Sequence, residues 1–273
     1  MERHFELELE KLKKRILKMG NLVASQIHQT MVALINCDIE AAEEIIETDN
    51  AVDKLDVKID KLCQRIFALT QPVATDLRLI MASLKMNNDL ERMGDHAVNI
   101  AKRIEDLSNY KDIVIEFQID DLAQSTDAIV RDVVTILNSR NTMFIKDIYN
   151  DSEVIKEKVQ AISEHIIEQM TKKSDVVVVA TNLMIILSQI ESISRYSLNI
   201  AEAIYFLVEG KLVKHTKRFW DQDSKTEKGH PSETDDTKTE QNQSSETDDA
   251  KPEKNQPSET DDAKPEQNQS SEE

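Results

Sequence analysis

The chain has 273 residues, a formal net charge of −18 and charged side chains at 32% of positions. That length supports one or two domains with a real core, while an acidic body and tail repel phosphate backbones, which excludes nucleic acid as an expected partner. Only Gly20, Gly94, Gly210 and Pro72 punctuate the residues before 221, too few turn formers for a β-rich or α/β domain, so an all-α fold of long helices is expected.

Taken in order, Phe5, Leu9, Leu12, Ile16, Met19, Val23, Ile27, Met31 and Leu34 recur in steps of three and four. They predict one amphipathic helix ending near Asn36. Asp38 is placed to cap a second helix carrying Ile45, Val52, Leu55, Ile59, Leu62, Ile66 and Leu69, which Pro72 breaks. A third helix is expected from about Thr75 to Leu107, followed by a polar connection near 109–116. Helices over about 117–137, 142–171 and 175–208 then follow, with Gly210 as the last C-cap. Asp175-Val176-Val177-Val178-Val179 has strand propensity alone, yet it occupies the position of Asp76 and its neighbours in the third helix, so helix is the better reading.

That correspondence comes from a duplication. Glu91-Arg92-Met93-Gly94-Asp95-His96-Ala97-Val98-Asn99-Ile100-Ala101 returns one hundred residues later as Glu191-Ser192-Ile193-Ser194-Arg195-Tyr196-Ser197-Leu198-Asn199-Ile200-Ala201. Leu77 and Val177, Leu84 and Met184, Ile104 and Ile204, and Leu107 and Leu207 keep the register. One structural unit is therefore present twice. The expected organisation is two tandem three-helix bundles, over 1–110 and 115–212. A polar tail over 221–273, built on a thirteen-residue repeat and carrying −11 of the charge, is expected to be disordered.

Chemistry concentrates in the first copy. Asp49, Asp53, Asp56 and Asp60 share a face of the second helix, and Glu91 and Asp95 share a face of the third, with Asn88 and Asn99 extending the line and Asp89 nearby. Like charges at this spacing oppose helix formation, so four carboxylates drawn together need a cation, raised pKa values or nearby bases. Asp49, Asp53, Glu91 and Asp95 are the candidate metal ligands, against the alternative of a solvated charged face helped by Lys54, Lys58, Lys61 and Arg92. The second copy has Tyr149, Glu153, Glu191 and Arg195 at these positions, a site disabled or replaced by a salt bridge, although Asp147 and Asp151 offer a substitute pair.

No nucleophile elbow, phosphate loop or dinucleotide fingerprint is present, so no catalytic residue is expected. A Glu-x-x-His pair occurs only at Glu227 and His230, and His96 and His165 read as structural or surface residues. Cys63 lies on the apolar stripe of Ile59 and Ile66 and reads as a buried free thiol. The N-terminus lacks the apolar run of a signal peptide and the longest apolar run is Val176–Ala180, so a soluble protein of a reducing compartment is expected.

Thr75-Asp76-Leu77-Arg78-Leu79-Ile80, followed by Asp89-Leu90-Glu91-Arg92-Met93-Gly94-Asp95-His96-Ala97-Val98-Asn99-Ile100-Ala101, resembles the PhoU family of bacterial phosphate-transport regulators. The likeness covers about residues 1–218, including the duplication and the Gln71-Pro72 break. It implies a cytoplasmic, non-enzymatic homo-oligomer, a dimer, held at the inner face of the membrane by its partners. Those partners would be phosphate ABC transporter subunits and, in many bacteria, a phosphate-sensing histidine kinase. Some members bind metal through paired Glu/Asp-x-x-x-Asp motifs; Asp49, Asp53, Glu91 and Asp95 match that pattern, implying Fe, Mn, Mg or Zn on the first bundle. Arg195 departs from it, and the tail lies outside the family pattern. The alternatives are a metalloenzyme or metal store using the acidic face, or a PhoU-like adaptor for another transporter.

Overall fold

The computed structural model describes residues 2–172 and 176–213; the tail expected over 221–273 lies outside the described residues. The described chain is helical apart from its turns. It runs α1 (Glu2–Asn36), α2 (Ile39–Thr48), α3 (Asn50–Leu69), α4 (Ala74–Leu107), α5 (Lys111–Glu116), α6 (Ile119–Ser139), a 3-10 turn (Thr142–Phe144), α7 (Ile145–Lys172) and α8 (Val177–Glu209).

The apolar periodicity of α1 becomes burial: Leu12, Met19, Val23, Ile27 and Leu34 are all fully buried. Each such side chain contributes roughly 1.5–3 kcal/mol by leaving water, so this stripe fixes which face of α1 turns inward. Asp38 caps α2 as expected, its carboxylate accepting from the Ala41 amide at 3.1 Å. Thr70 and Val73 are extended on either side of the Gln71-Pro72 break. Gly210 ends α8 at φ +70°, where its amide bonds the Phe206 carbonyl at 3.0 Å.

Two expectations need correction. The second helix is not continuous: Asp49 separates α2 from α3, although its own backbone stays helical. Its carbonyl accepts from the Val52 amide at 2.8 Å and more weakly from Asp53 at 3.3 Å, a tightened turn that redirects the Asp49 side chain. The polar connection near 109–116 contains α5, because Val114 and the following Phe117 are buried and anchor it.

The two copies pack together. α4 lies along α8, α1 touches α6, and the buried side chains form one continuous cluster from Leu9 to Val213. Gly20 permits the α1–α6 approach: a Cβ there would stand 2.9 Å from Leu137 Cδ2. α8 is also long and apolar enough to cross a membrane, with mean hydropathy 1.6 over its best window, which the search for unbroken apolar runs missed. Its buried residues, Val179 to Ile204, pack against α4, α6 and α7, while Val177, Val178 and Val208 are exposed.

The copies correspond with a shifting offset. The left-handed C-cap residues Cys37 and Arg140 correspond, as do the capping side chains Asp38 and Asn141, 103 residues apart. From Asp49 and Tyr149 onward the separation is one hundred, so the second copy is three residues shorter at the turn between its first two helices.

Candidate functional site

Where α3 faces α4, the packing brings carboxylates of both helices within electrostatic reach. Asp49 sits half-buried beside Gly94. A Cβ on Gly94 would stand 3.2 Å from Gln26 Oε1, 3.4 Å from Val52 Cγ1 and 3.5 Å from Asp49 Oδ1. Here the glycine lets α4 approach the tightened turn of Asp49 closely. Gln26, buried on α1, donates through Nε2 to Asp49 Oδ1 at 2.9 Å, while its own Oε1 has no hydrogen-bond partner.

Burial pushes the Asp49 carboxyl above its ordinary range; the Gln26 hydrogen bond opposes this, and repulsion from Asp53 and Asp95 adds to it. Glu91 is likewise raised, first by burial and then by Asp95 and Asp56. Asp53 and Asp95 are exposed. None of the four candidate ligands has an ion pair among the described residues.

Below them, Asn87 is buried and donates to Asp56 Oδ1 at 2.6 Å and to Asp60 Oδ1 at 3.1 Å. Asn88, which the acidic stripe pointed to, is exposed. Gln26 and Asn87 are therefore the residues that stripe reading missed. Their signal in the sequence is faint: each is an amide beside an apolar core residue, Ile27 and Met86.

Repelling carboxylates, a hydrogen-bonding amide and an orphaned amide oxygen form a donor set that suits a hard or borderline cation. No three His, Cys, Asp or Glu side chains among the described residues converge on one point, so a bound ion would draw exposed Asp53 and Asp95 inward by rotamer changes.

The second copy keeps acids at Glu153 and Glu191 and is rebuilt around them. Ile129 stands for Gln26 and Ser194 for Gly94; Ser194 Oγ donates to Ser152 Oγ at 3.0 Å, filling the space the glycine leaves. Arg195 reaches Ser192 Oγ at 3.4 Å and lies 5.4 Å from the Tyr196 ring centroid. Asp147 and Asp151 do come together, but with Asp132 of α6. Burial first, then mutual repulsion, raises the Asp132 and Asp151 carboxyls.

Between the copies, a polar seam interrupts the apolar contact of α4 with α8. Asp89 is 5% exposed, one of its oxygens lacks a partner, and burial pushes its carboxyl up to about 6 despite Lys85, Arg92 and a bond to Asn199. His96 Nδ1 lies 2.6 Å from Gln189 Oε1 and its ring stacks on Tyr196 at 5.6 Å. His165 meets Phe117 edge-on. Both histidines make packing contacts, as expected. Cys37 and Cys63 are free thiols, and burial pushes Cys63 up to about 12, an unreactive state.

The PhoU domain model matches residues 16–104 and 119–204. The phosphate-specific transport system accessory protein PhoU of Serratia marcescens is 30% identical over 77% of this chain and 87% of its own length. The PhoU homolog of Aquifex aeolicus is 33% identical over 76% of this chain and 94% of its own. Among solved structures, PhoU from Pseudomonas aeruginosa aligns with a TM-score of 0.71 and 26% identity, covering 76% of this chain and 100% of that one. The phosphate transport system regulatory protein PhoU from Streptococcus pneumoniae aligns at 0.70 and 30%, covering 77% and 99%. Two matched repeats, the helical order and relatives matched over nearly their whole length agree: the chain belongs to the PhoU family, a non-enzymatic family of regulatory proteins.

Proposed function

We propose that this protein is the regulatory accessory of a phosphate-specific ABC transporter, acting by protein–protein contact at the inner face of the membrane. The observation that carries this reading is the match of both repeats to relatives named as accessory proteins of that transport system, over 87% and 94% of their lengths. In this reading the protein is cytoplasmic, forms a homodimer, and touches the membrane only through the transporter and a phosphate-sensing histidine kinase. Deleting the gene should derepress phosphate uptake and phosphate-starvation genes in phosphate-rich medium. Unchanged uptake and expression in a clean deletion count against the proposal. A pull-down from replete and starved cells should recover transporter subunits; recovery of a different transporter instead supports an adaptor role.

The second element of the proposal is a metal ion of the Fe, Mn, Mg or Zn class on the first repeat. Asp49, Asp53, Glu91 and Asp95 would hold it, with Gln26 fixing the orientation of Asp49. The ion would supply positive charge to clustered carboxylates that lack ion-pair partners and would tie α3 to α4. A metal store using the same face is the rival. Metal analysis separates them: about one ion per chain fits a structural or regulatory site, whereas a mineral-like excess fits storage.

A further inference from the structure

Where α1, the end of α6, α4 and α8 meet, the two repeats enclose a half-open cavity of about 270 Å³. Its floor is apolar: Ile16, Leu79, Met86 and Ile204 are all buried. Its rim carries Lys13, Lys14 and Arg140 against a single acid, Glu10, on a protein whose overall charge is −18. Glu10 pairs with Lys13. Lys14 and Arg140 have no ion pair among the described residues, yet both add to the field that holds the Glu10 carboxyl below its ordinary range, after Lys13.

Three features set this cavity apart from ordinary packing. Ser83 is 1% exposed and its hydroxyl has no hydrogen-bond partner, whereas the buried hydroxyls of Thr30, Thr126, Ser194 and Ser197 are all bonded. The equivalent position in the second repeat is Leu183, fully buried, so the fold itself accepts an apolar side chain there. Arg140, at the left-handed C-cap of α6 (φ 55°), lines the cavity with a cation where the corresponding left-handed residue after α1 is Cys37 (φ 51°). The pseudo-equivalent end of the molecule is largely filled: α5 lies there, and buried Phe117, beside Val179 and Ala180, leaves a cavity of only about 60 Å³. An unpaired cation, an orphaned hydroxyl and an unfilled apolar floor therefore coincide at one end of the repeat interface.

We propose that this cavity binds a small amphipathic anion, a single acyl or alkyl chain bearing a carboxylate or phosphate head. The head sits between Lys14 and Arg140, the chain covers Met86 and Ile204, and Ser83 donates to an oxygen of the ligand. The volume lies just below the range of about 300–1,000 Å³ usual for ligand pockets, which suits one short chain and excludes a two-chain lipid. Because both repeats contribute to the walls, occupancy would stiffen the contact between them. This site is independent of the acidic face and of the identity of the transporter.

Isothermal titration of the full chain with octyl phosphate, below its micellar concentration, tests the proposal. One saturable site per chain is expected, weakening as salt rises. Inorganic phosphate and octyltrimethylammonium should bind far less. Arg140→Gly, which keeps the left-handed C-cap, and Lys14→Gln should each lower affinity about tenfold, the scale of one charge-assisted hydrogen bond. Ser83→Leu, the residue type of the second repeat, should abolish binding while leaving the helical circular-dichroism signal and melting temperature intact. Should Ser83→Leu fail to fold, Arg140→Gly carries the test. Tighter binding of decyl than butyl phosphate supports a lipid-derived ligand, and the reverse order supports a soluble metabolite. No saturable binding, equal binding of inorganic phosphate or of the ammonium amphiphile, or unchanged affinity in Arg140→Gly and Lys14→Gln would overturn it.

Discussion

The two repeats share a helical frame and differ most where α3 and α7 face the long helices α4 and α8. The first repeat places Gln26, Asp49, Val52, Gly94 and Asp95 there; the second places Ile129, Tyr149, Ser152, Ser194 and Arg195. The change is wider than one charge reversal. Removing Gln26 takes away the donor that orients the carboxylate, and adding a side chain at Gly94 fills the close approach on which that donor depends. A half-buried Ser194–Ser152 hydrogen bond then satisfies the new hydroxyls. The two repeats thus keep the same packing while the residues around the candidate ligands differ together, the amide donor, the glycine and the two aspartates Asp49 and Asp95 all being replaced.

The comparison breaks most sharply at metal binding. In the full chain, Asp49→Asn with Glu91→Gln should lower affinity for Mn or Fe at least about 100-fold, roughly 3 kcal/mol. Glu191→Gln should leave loading unchanged, and Arg195→Asp alone should not create a second site, since Ile129, Tyr149 and Ser194 remain. Titration calorimetry and elemental analysis check both; equal loss from the two repeats would refute the asymmetry. Full-length variants suit the test because the core is continuous across the repeats.

The next effect lies on the seam between the repeats. Burial pushes the folded Asp89 carboxyl up to about 6, above the ordinary carboxylate range, so the folded state holds its proton more tightly than the unfolded chain. Stability from this group is therefore fully present below about pH 4 and is lost as pH rises to about 6. Asp89→Asn should remove that slope and stabilise the metal-free protein at pH 7 by up to about 2 kcal/mol. Denaturant melts of both proteins at pH 4.5 and 7 measure it; a variant less stable at pH 7 would show that the carboxylate is needed in charged form.

Two smaller tests sharpen the repeat comparison. Gly94→Val should destabilise by about 1–2 kcal/mol through crowding against Gln26 and Asp49 and should reduce metal loading with it. Ser194→Ala should cost about 1 kcal/mol, the usual worth of one buried hydrogen bond, with no effect on metal. The smallest effect concerns residues 221–273: truncation after Trp220 should leave the melting temperature within experimental error, and a drop of many degrees would show that the tail packs on the repeats.

Much of this protein follows from local pattern. The steps of three and four in α1, the cap at Asp38, the break at Pro72 and the C-cap at Gly210 each depend on near neighbours in the chain, so they are legible without a fold. The acidic stripes of α3 and α4 are legible for the same reason, since helical spacing alone places Asp53 with Asp56 and Glu91 with Asp95. Tertiary structure decided the rest. Gln26 matters only because α1 passes Gly94, Asn87 only because α4 turns it toward Asp56, and the cavity at Ser83 exists only because four helices from two repeats meet there. Periodicity reports which face of a helix is apolar; it carries no information on which distant polar group that face will meet. Those meetings depend on how closely the helices approach, which Gly20 and Gly94 set between helices far apart in the chain.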